Sequence, residues 1–80
     1  MKQIVFYETR VGWHGCKTIE SRFQYGTGCE IHQPDGETLI VVKSVPCTER
    51  NISFAKQIMK ESKKAVDRLG YFKRLIELNF

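Results

Sequence analysis

A row of cationic side chains is the chemical feature of this sequence that is easiest to define. Lys56, Lys60, Lys64 and Arg68 follow one another at intervals of four residues, and Lys63 lies beside them. On an α-helix these residues share one face, where each pair of like charges costs an isolated helix roughly 0.2–0.5 kcal/mol. Two interpretations follow: a solvated face that favours lysine, or a surface for an anionic partner. Lysine suits point-charge contact with carboxylates or phosphates better than base recognition.

The excess of positive charge is confined to the second part of the chain. Residues 1–47 carry five Lys or Arg against five Asp or Glu, whereas residues 48–80 carry eight against four. The formal net charge of +4 therefore belongs to the segment that holds the cationic row. Because localised charge says more about a partner than an overall isoelectric point does, this segment is the first place to look for binding.

Trp13 is the second candidate for binding a partner. Its neighbours Gly12, His14 and Gly15 predict a loop, since two glycines bracket two bulky side chains. A large aromatic side chain in a loop either folds back over the core or anchors an interface. Both interpretations remain open at this point.

Metal binding and nucleophilic catalysis are weakly supported. His14 and Cys16 form one close pair and Cys29 and His32 another, which is the number of ligands in a tetrahedral zinc site. However, a His-Xaa-Cys pair is not a usual zinc knuckle, and no third group is spaced to orient His14 toward Cys16 as a catalytic base. We therefore expect no catalytic residue, no metal and no cofactor.

Cellular location is predicted from cysteine usage and hydropathy. Three cysteines are an odd number for a disulfide framework, no apolar run is long enough to span a membrane, and a charge follows early in residues 1–8. We expect a cytoplasmic protein without a membrane partner.

Four strands and one long helix are predicted to position these residues. Alternating or β-branched residues predict strands over residues 3–9, 17–25, 29–32 and 38–45, and the turn at residues 34–37 predicts a hairpin. Apolar residues at helical spacing predict one helix from Thr48, as its N-cap, to Gly70, as the residue that ends it. Its buried face is expected to contain Ala55, Ile58, Met59, Ser62, Ala65, Val66 and Leu69.

The final ten residues fit two patterns. Phe72, Ile76, Leu78 and Phe80 alternate as a strand does, whereas Leu69, Phe72, Ile76 and Phe80 fit a helical stripe. We predict a strand, because Gly70 is unfavourable inside a helix. The expected fold is a single α+β domain, residues 1–80, in which one long amphipathic helix covers a mostly antiparallel sheet of four to five strands in the order β-β-β-β-α-β.

Two functions are consistent with these features. The first is a small non-enzymatic protein-binding module, such as the inhibitors with which phages and mobile elements occlude a larger host protein or nucleoprotein complex. The second is a nucleic-acid-binding protein that uses Lys56, Lys60, Lys63, Lys64 and Arg68 largely without sequence preference. In both cases the predicted binding residues are these five cations and Trp13.

Overall fold

Four strands form one antiparallel sheet in a computed structural model that describes all residues 1–80. The strands are β1 (Lys2–Thr9), β2 (His14–Glu20), β3 (Glu30–His32) and β4 (Thr38–Pro46). Their order across the sheet is β2-β1-β4-β3, and every neighbouring pair is antiparallel. The α+β class and the antiparallel sheet are therefore confirmed.

The predicted strand over residues 17–25 is partly wrong. The strand β2 begins earlier, at His14, and ends at Glu20. Beyond Glu20 the Ser21 hydroxyl accepts from the Phe23 amide and donates to the Phe23 carbonyl. The backbone of Phe23 therefore bonds to a side chain instead of a neighbouring strand. Phe23, which the alternation placed on the apolar face, is exposed.

Two helices follow the sheet where one was predicted. They are α1 (Glu49–Ser62) and α2 (Arg68–Asn79). Thr48 caps α1 as predicted, since its hydroxyl accepts from the Asn51 amide at 3.1 Å. The helix ends eight residues earlier than predicted, and Val66, expected in the buried face, is fully exposed in the turn between the helices.

Asp67 explains why a helix starts where the sequence predicts an end. Its carboxylate accepts from the Gly70 amide at 3.0 Å, which caps the first turn of α2. An added Cβ at Gly70 would lie 2.2 Å from that carboxylate. Gly70 therefore leaves room for the cap, and the predicted last strand is wrong: residues 68–79 are helical.

Both helices pack on one face of the sheet around two phenylalanines. Phe6 on β1 and Phe72 on α2 are fully buried, with ring centroids 6.1 Å apart. Lys73 of α2 also pairs with Glu8 of β1. Around the aromatic pair the core is completed by aliphatic residues from both layers, namely Ile4, Val45, Ala55, Ile58 and Ile76.

The sheet is curled, so its second face is also largely closed. The Lys17 ammonium on β2 donates to the Gln33 amide oxygen just beyond β3 at 2.6 Å, although these strands form opposite edges of the sheet. Val5 and Val41 are buried without belonging to the helix-side core. The curl leaves the outer edge of β2 next to α1.

Candidate functional site

A groove runs between α1 and the edge strand β2. Its volume is about 650 Å³. Apolar side chains from both layers line it, and two of them, Ile4 and Ala55, are buried members of the core. The other apolar lining residues are Cys16, Ile52 and Met59. We call this cavity the lysine groove, because four lysines of α1 and the turn after it line it as well: Lys56, Lys60, Lys63 and Lys64. Lys17 of β2 also borders it, but its ammonium lies on the second face of the sheet, at Gln33.

The charge of the lysine groove is uncompensated. No aspartate or glutamate lines it, and the three ion pairs of the protein involve the amino terminus, Arg10 and Lys73 instead. These lysines are exposed, so solvent and salt screen each one, but their attractions for an anion add where several lie close together. The groove therefore favours a ligand that carries both carboxylates or phosphates and apolar surface.

A second cavity lies at the end of α1 and is lined by Trp13. Its volume is about 370 Å³, and Trp13, His14, Lys63 and Arg68 contribute to its wall. We call it the tryptophan pocket. Met59 and Lys63 line both cavities, so the two adjoin. Trp13 is 72% exposed, which excludes the interpretation that it covers the core.

The predicted binding residues lie near one another in the structure, but they do not lie along one helix face as predicted. Lys56, Lys60, Lys63 and Lys64 line the lysine groove, but Arg68 belongs to α2 and faces the tryptophan pocket with Trp13. The single row of cations along one helix is therefore wrong, because the chain turns after Ser62. Ile52 was missed, although it lies on α1 one turn before Lys56, because the predicted buried face of the helix began at Ala55.

The four candidate zinc ligands are not gathered. His14 and Cys16 lie on β2, whereas Cys29 and His32 lie at the opposite edge of the sheet. His14 Nε2 is 3.3 Å from the Ser62 hydroxyl, and His32 Nδ1 is 3.2 Å from the Thr38 hydroxyl. No three His, Cys, Asp or Glu side chains are close enough together to hold a metal ion.

Cys16 is not activated as a nucleophile. Burial raises the pKa of its thiol, whereas a reactive cysteine needs a lowered pKa. The neighbouring His14 is directed to Ser62 and packs on Phe72, with ring centroids 4.5 Å apart. These contacts give the residues structural roles in the floor and end wall of the site.

His14 is expected to make the stability of the fold depend on pH. Burial, and then the charge of Arg68, lower the pKa of its imidazole below the ordinary value. The unfolded chain therefore binds more protons than the folded chain once the pH falls below about 6.5. We expect the free energy of unfolding to fall as the pH drops through that value toward the lowered pKa.

The pH dependence is tested by urea unfolding of the wild type and of His14→Gln from pH 8 to 5. The free energies of unfolding of the two proteins are compared at each pH. The difference in the free energy of unfolding between the wild type and His14→Gln should shift against the wild type as the pH falls. A difference that is constant, or that shifts toward the wild type in acid, would contradict the assignment.

Neither helix is long and apolar enough to cross a membrane. The chain matches no family model, no curated protein and no solved structure. A function for this chain must therefore be inferred from the geometry of the two adjoining cavities.

Proposed function

We propose that this chain is a non-enzymatic protein-binding module whose lysine groove takes an acidic segment of a larger partner and so occludes or tethers that partner. The observation that supports the proposal is the set of four lysines from α1 and the turn after it, with no acidic residue in the lining, above a floor of Ile4, Ile52 and Met59. An acidic peptide offers carboxylates to the lysines and aliphatic stems to the floor. Nucleic acid offers phosphates but little aliphatic surface.

The lining of the groove favours a protein over a nucleic acid for a second reason. Single-stranded nucleic acids are bound by grooves in which aromatic side chains stack on successive bases. No aromatic residue lines the lysine groove, and the nearby Trp13 belongs to the tryptophan pocket. Binding through phosphates alone would leave the apolar floor without a partner.

Charge reversal in α1 tests the proposal. The probe is an octapeptide of alternating threonine and glutamate, acetylated and amidated at its ends. Its binding is measured by fluorescence anisotropy at physiological salt. In the double variant Lys56→Glu/Lys60→Glu, two attractive contacts become repulsive, and we expect affinity to fall roughly tenfold. The matched control Arg22→Glu/Arg74→Glu changes the net charge equally at exposed positions outside the groove and should change affinity less than twofold.

A thymidine pentanucleotide, which carries the same four charges as the peptide, separates the two classes of partner. The peptide should bind the wild type more tightly than the pentanucleotide does. Equal loss of peptide binding in both double variants, or no peptide binding at all, would contradict the proposal. Tighter binding of the pentanucleotide, lost on reversal of Lys56 and Lys60, would replace it by nucleic-acid binding.

A further inference from the structure

The outer edge of β2 is an open hydrogen-bonding surface. The strand pairs only with β1, and no other segment forms a backbone hydrogen bond with residues 14–20. An open edge presents unpaired N–H and C=O groups, which are a template for another extended segment. The opposite edge of the sheet is formed by β3, which is only three residues long.

Two hydrogen bonds at the ends of the pairing show which residues of β2 face outward. The Thr9 amide donates to the Trp13 carbonyl at 2.8 Å, and the Ser21 amide donates to the Met1 carbonyl at 2.9 Å. In an antiparallel pair, hydrogen-bonded and non-bonded residues alternate. Odd-numbered residues of β2 therefore bond to β1, and the main-chain groups of four residues point outward: His14, Cys16, Thr18 and Glu20.

The outward-facing residues border the lysine groove. Cys16 and Thr18 both line it, on the helix side of the sheet, where Cys16 lies opposite Phe6. Side chains of directly opposed residues project to the same face of a sheet. A strand added to this edge would thus direct every second side chain into the groove, toward the lysines of α1.

The spacing of the lysines matches such a strand. Lys56 and Lys60 lie one turn apart on α1, about 6 Å along its axis, and Lys64 follows in the turn beyond the helix. Alternate residues of a strand recur every 6–7 Å or so. Alternate carboxylates of a strand that runs beside α1 are therefore spaced at nearly the interval between Lys56 and Lys60.

We propose that the lysine groove binds its acidic segment as an added strand, hydrogen-bonded to the outer edge of β2, with carboxylates at alternate positions facing Lys56, Lys60 and Lys64. This inference rests on the proposed function and specifies the conformation of the ligand. Main-chain hydrogen bonds supply affinity in this mode of recognition, and the groove supplies selection of side chains.

Backbone methylation of the probe tests the added strand. One octapeptide of alternating threonine and glutamate is N-methylated at every glutamate, and a second at every threonine. Because alternate residues of the added strand bond to β2, one isomer should lose roughly tenfold or more in affinity and the other should stay within about twofold of the parent. Loss in the glutamate-methylated isomer indicates an antiparallel strand, and loss in the threonine-methylated isomer a parallel one.

Other outcomes separate this inference from the function on which it rests. If both isomers, and a block peptide of four threonines followed by four glutamates, bind as tightly as the parent, while Lys56→Glu/Lys60→Glu still abolishes binding, the added strand is wrong and the acidic partner stands. Equal loss in both isomers also overturns the strand. If no acidic peptide binds the wild type, the proposed function fails as well.

Discussion

Phe72→Ala is expected to lower the free energy of unfolding by about 3–5 kcal/mol, the usual cost of truncating a buried phenylalanine. The side chain is fully buried and contacts Phe6 from β1 and His14 from β2. Its removal therefore leaves a cavity where the second helix meets two strands. Since small domains are commonly stable by about 5–15 kcal/mol, this loss is a large share of the total, and the variant should unfold at a clearly lower urea concentration.

The control for this variant lies on the same helix. Leu78 is 76% exposed, so Leu78→Ala should change the free energy of unfolding by less than about 0.5 kcal/mol. In a strand, residues 72 and 78 would share a face and both truncations would be costly. Equal losses in the two variants, measured by urea unfolding, would thus contradict the helix over residues 68–79.

Gly15→Val is expected to lower the free energy of unfolding by about 1–3 kcal/mol, as overpacking commonly does. Gly15 lies directly opposite Tyr7 in the sheet. A Cβ at Gly15 would be 2.7 Å from the Tyr7 hydroxyl oxygen and 2.9 Å from the ring carbon that carries it. The ring must therefore leave its place over the glycine, even though valine itself favours strands.

A second substitution separates this contact from a general effect of valine. In the background of Tyr7→Ala the obstacle is absent, so Gly15→Val should cost much less there, or stabilise the strand. The two positions are then coupled, which a double-mutant cycle of thermal or urea unfolding measures. An equal cost of Gly15→Val in both backgrounds would contradict the assigned contact.

The strands could be predicted from the sequence better than the helices. Residues 3–9 and 38–45 are rich in β-branched and aromatic side chains, and their observed bounds differ from the predicted ones by one residue at each end at most. The helical pattern misled at residues 63–67, because Ala65 and Val66 continue the apolar phase of α1 through a turn that is not helical, and Leu69 resumes it in α2. Periodicity alone does not register such a break.

The last ten residues were ambiguous for a numerical reason. Phe72, Ile76 and Phe80 are spaced by four, which is a multiple of the strand period and close to one helical turn. Leu78 belongs to the strand pattern alone and Leu69 to the helical stripe alone; in the structure Leu78 is exposed and Leu69 packs against the core. The wrong prediction of a strand rested on Gly70, which is unfavourable inside a helix. In the structure Asp67 caps the first turn of α2 by accepting from the Gly70 amide, and this hydrogen bond offsets the cost of the glycine.

The candidate site was predictable in its charges and not in its shape. Counting charges by segment identified Lys56, Lys60, Lys63 and Lys64, all of which line the lysine groove. The floor of the groove was not predictable, since Ile4 is 48 or more residues away in sequence from the helix residues that complete it. Such a floor depends on strand order, and no local pattern reports it.

The open edge of β2 also bears on how copies of this protein behave toward one another. An unprotected strand edge invites edge-to-edge pairing of identical molecules, and lysines are among the side chains that discourage it. Here any second molecule that approached this edge with its own β2 edge would bring its Lys56, Lys60, Lys63 and Lys64 against those of the first. The residues proposed to attract an acidic ligand therefore also oppose self-association, and salt, by screening that repulsion, would weaken both effects together.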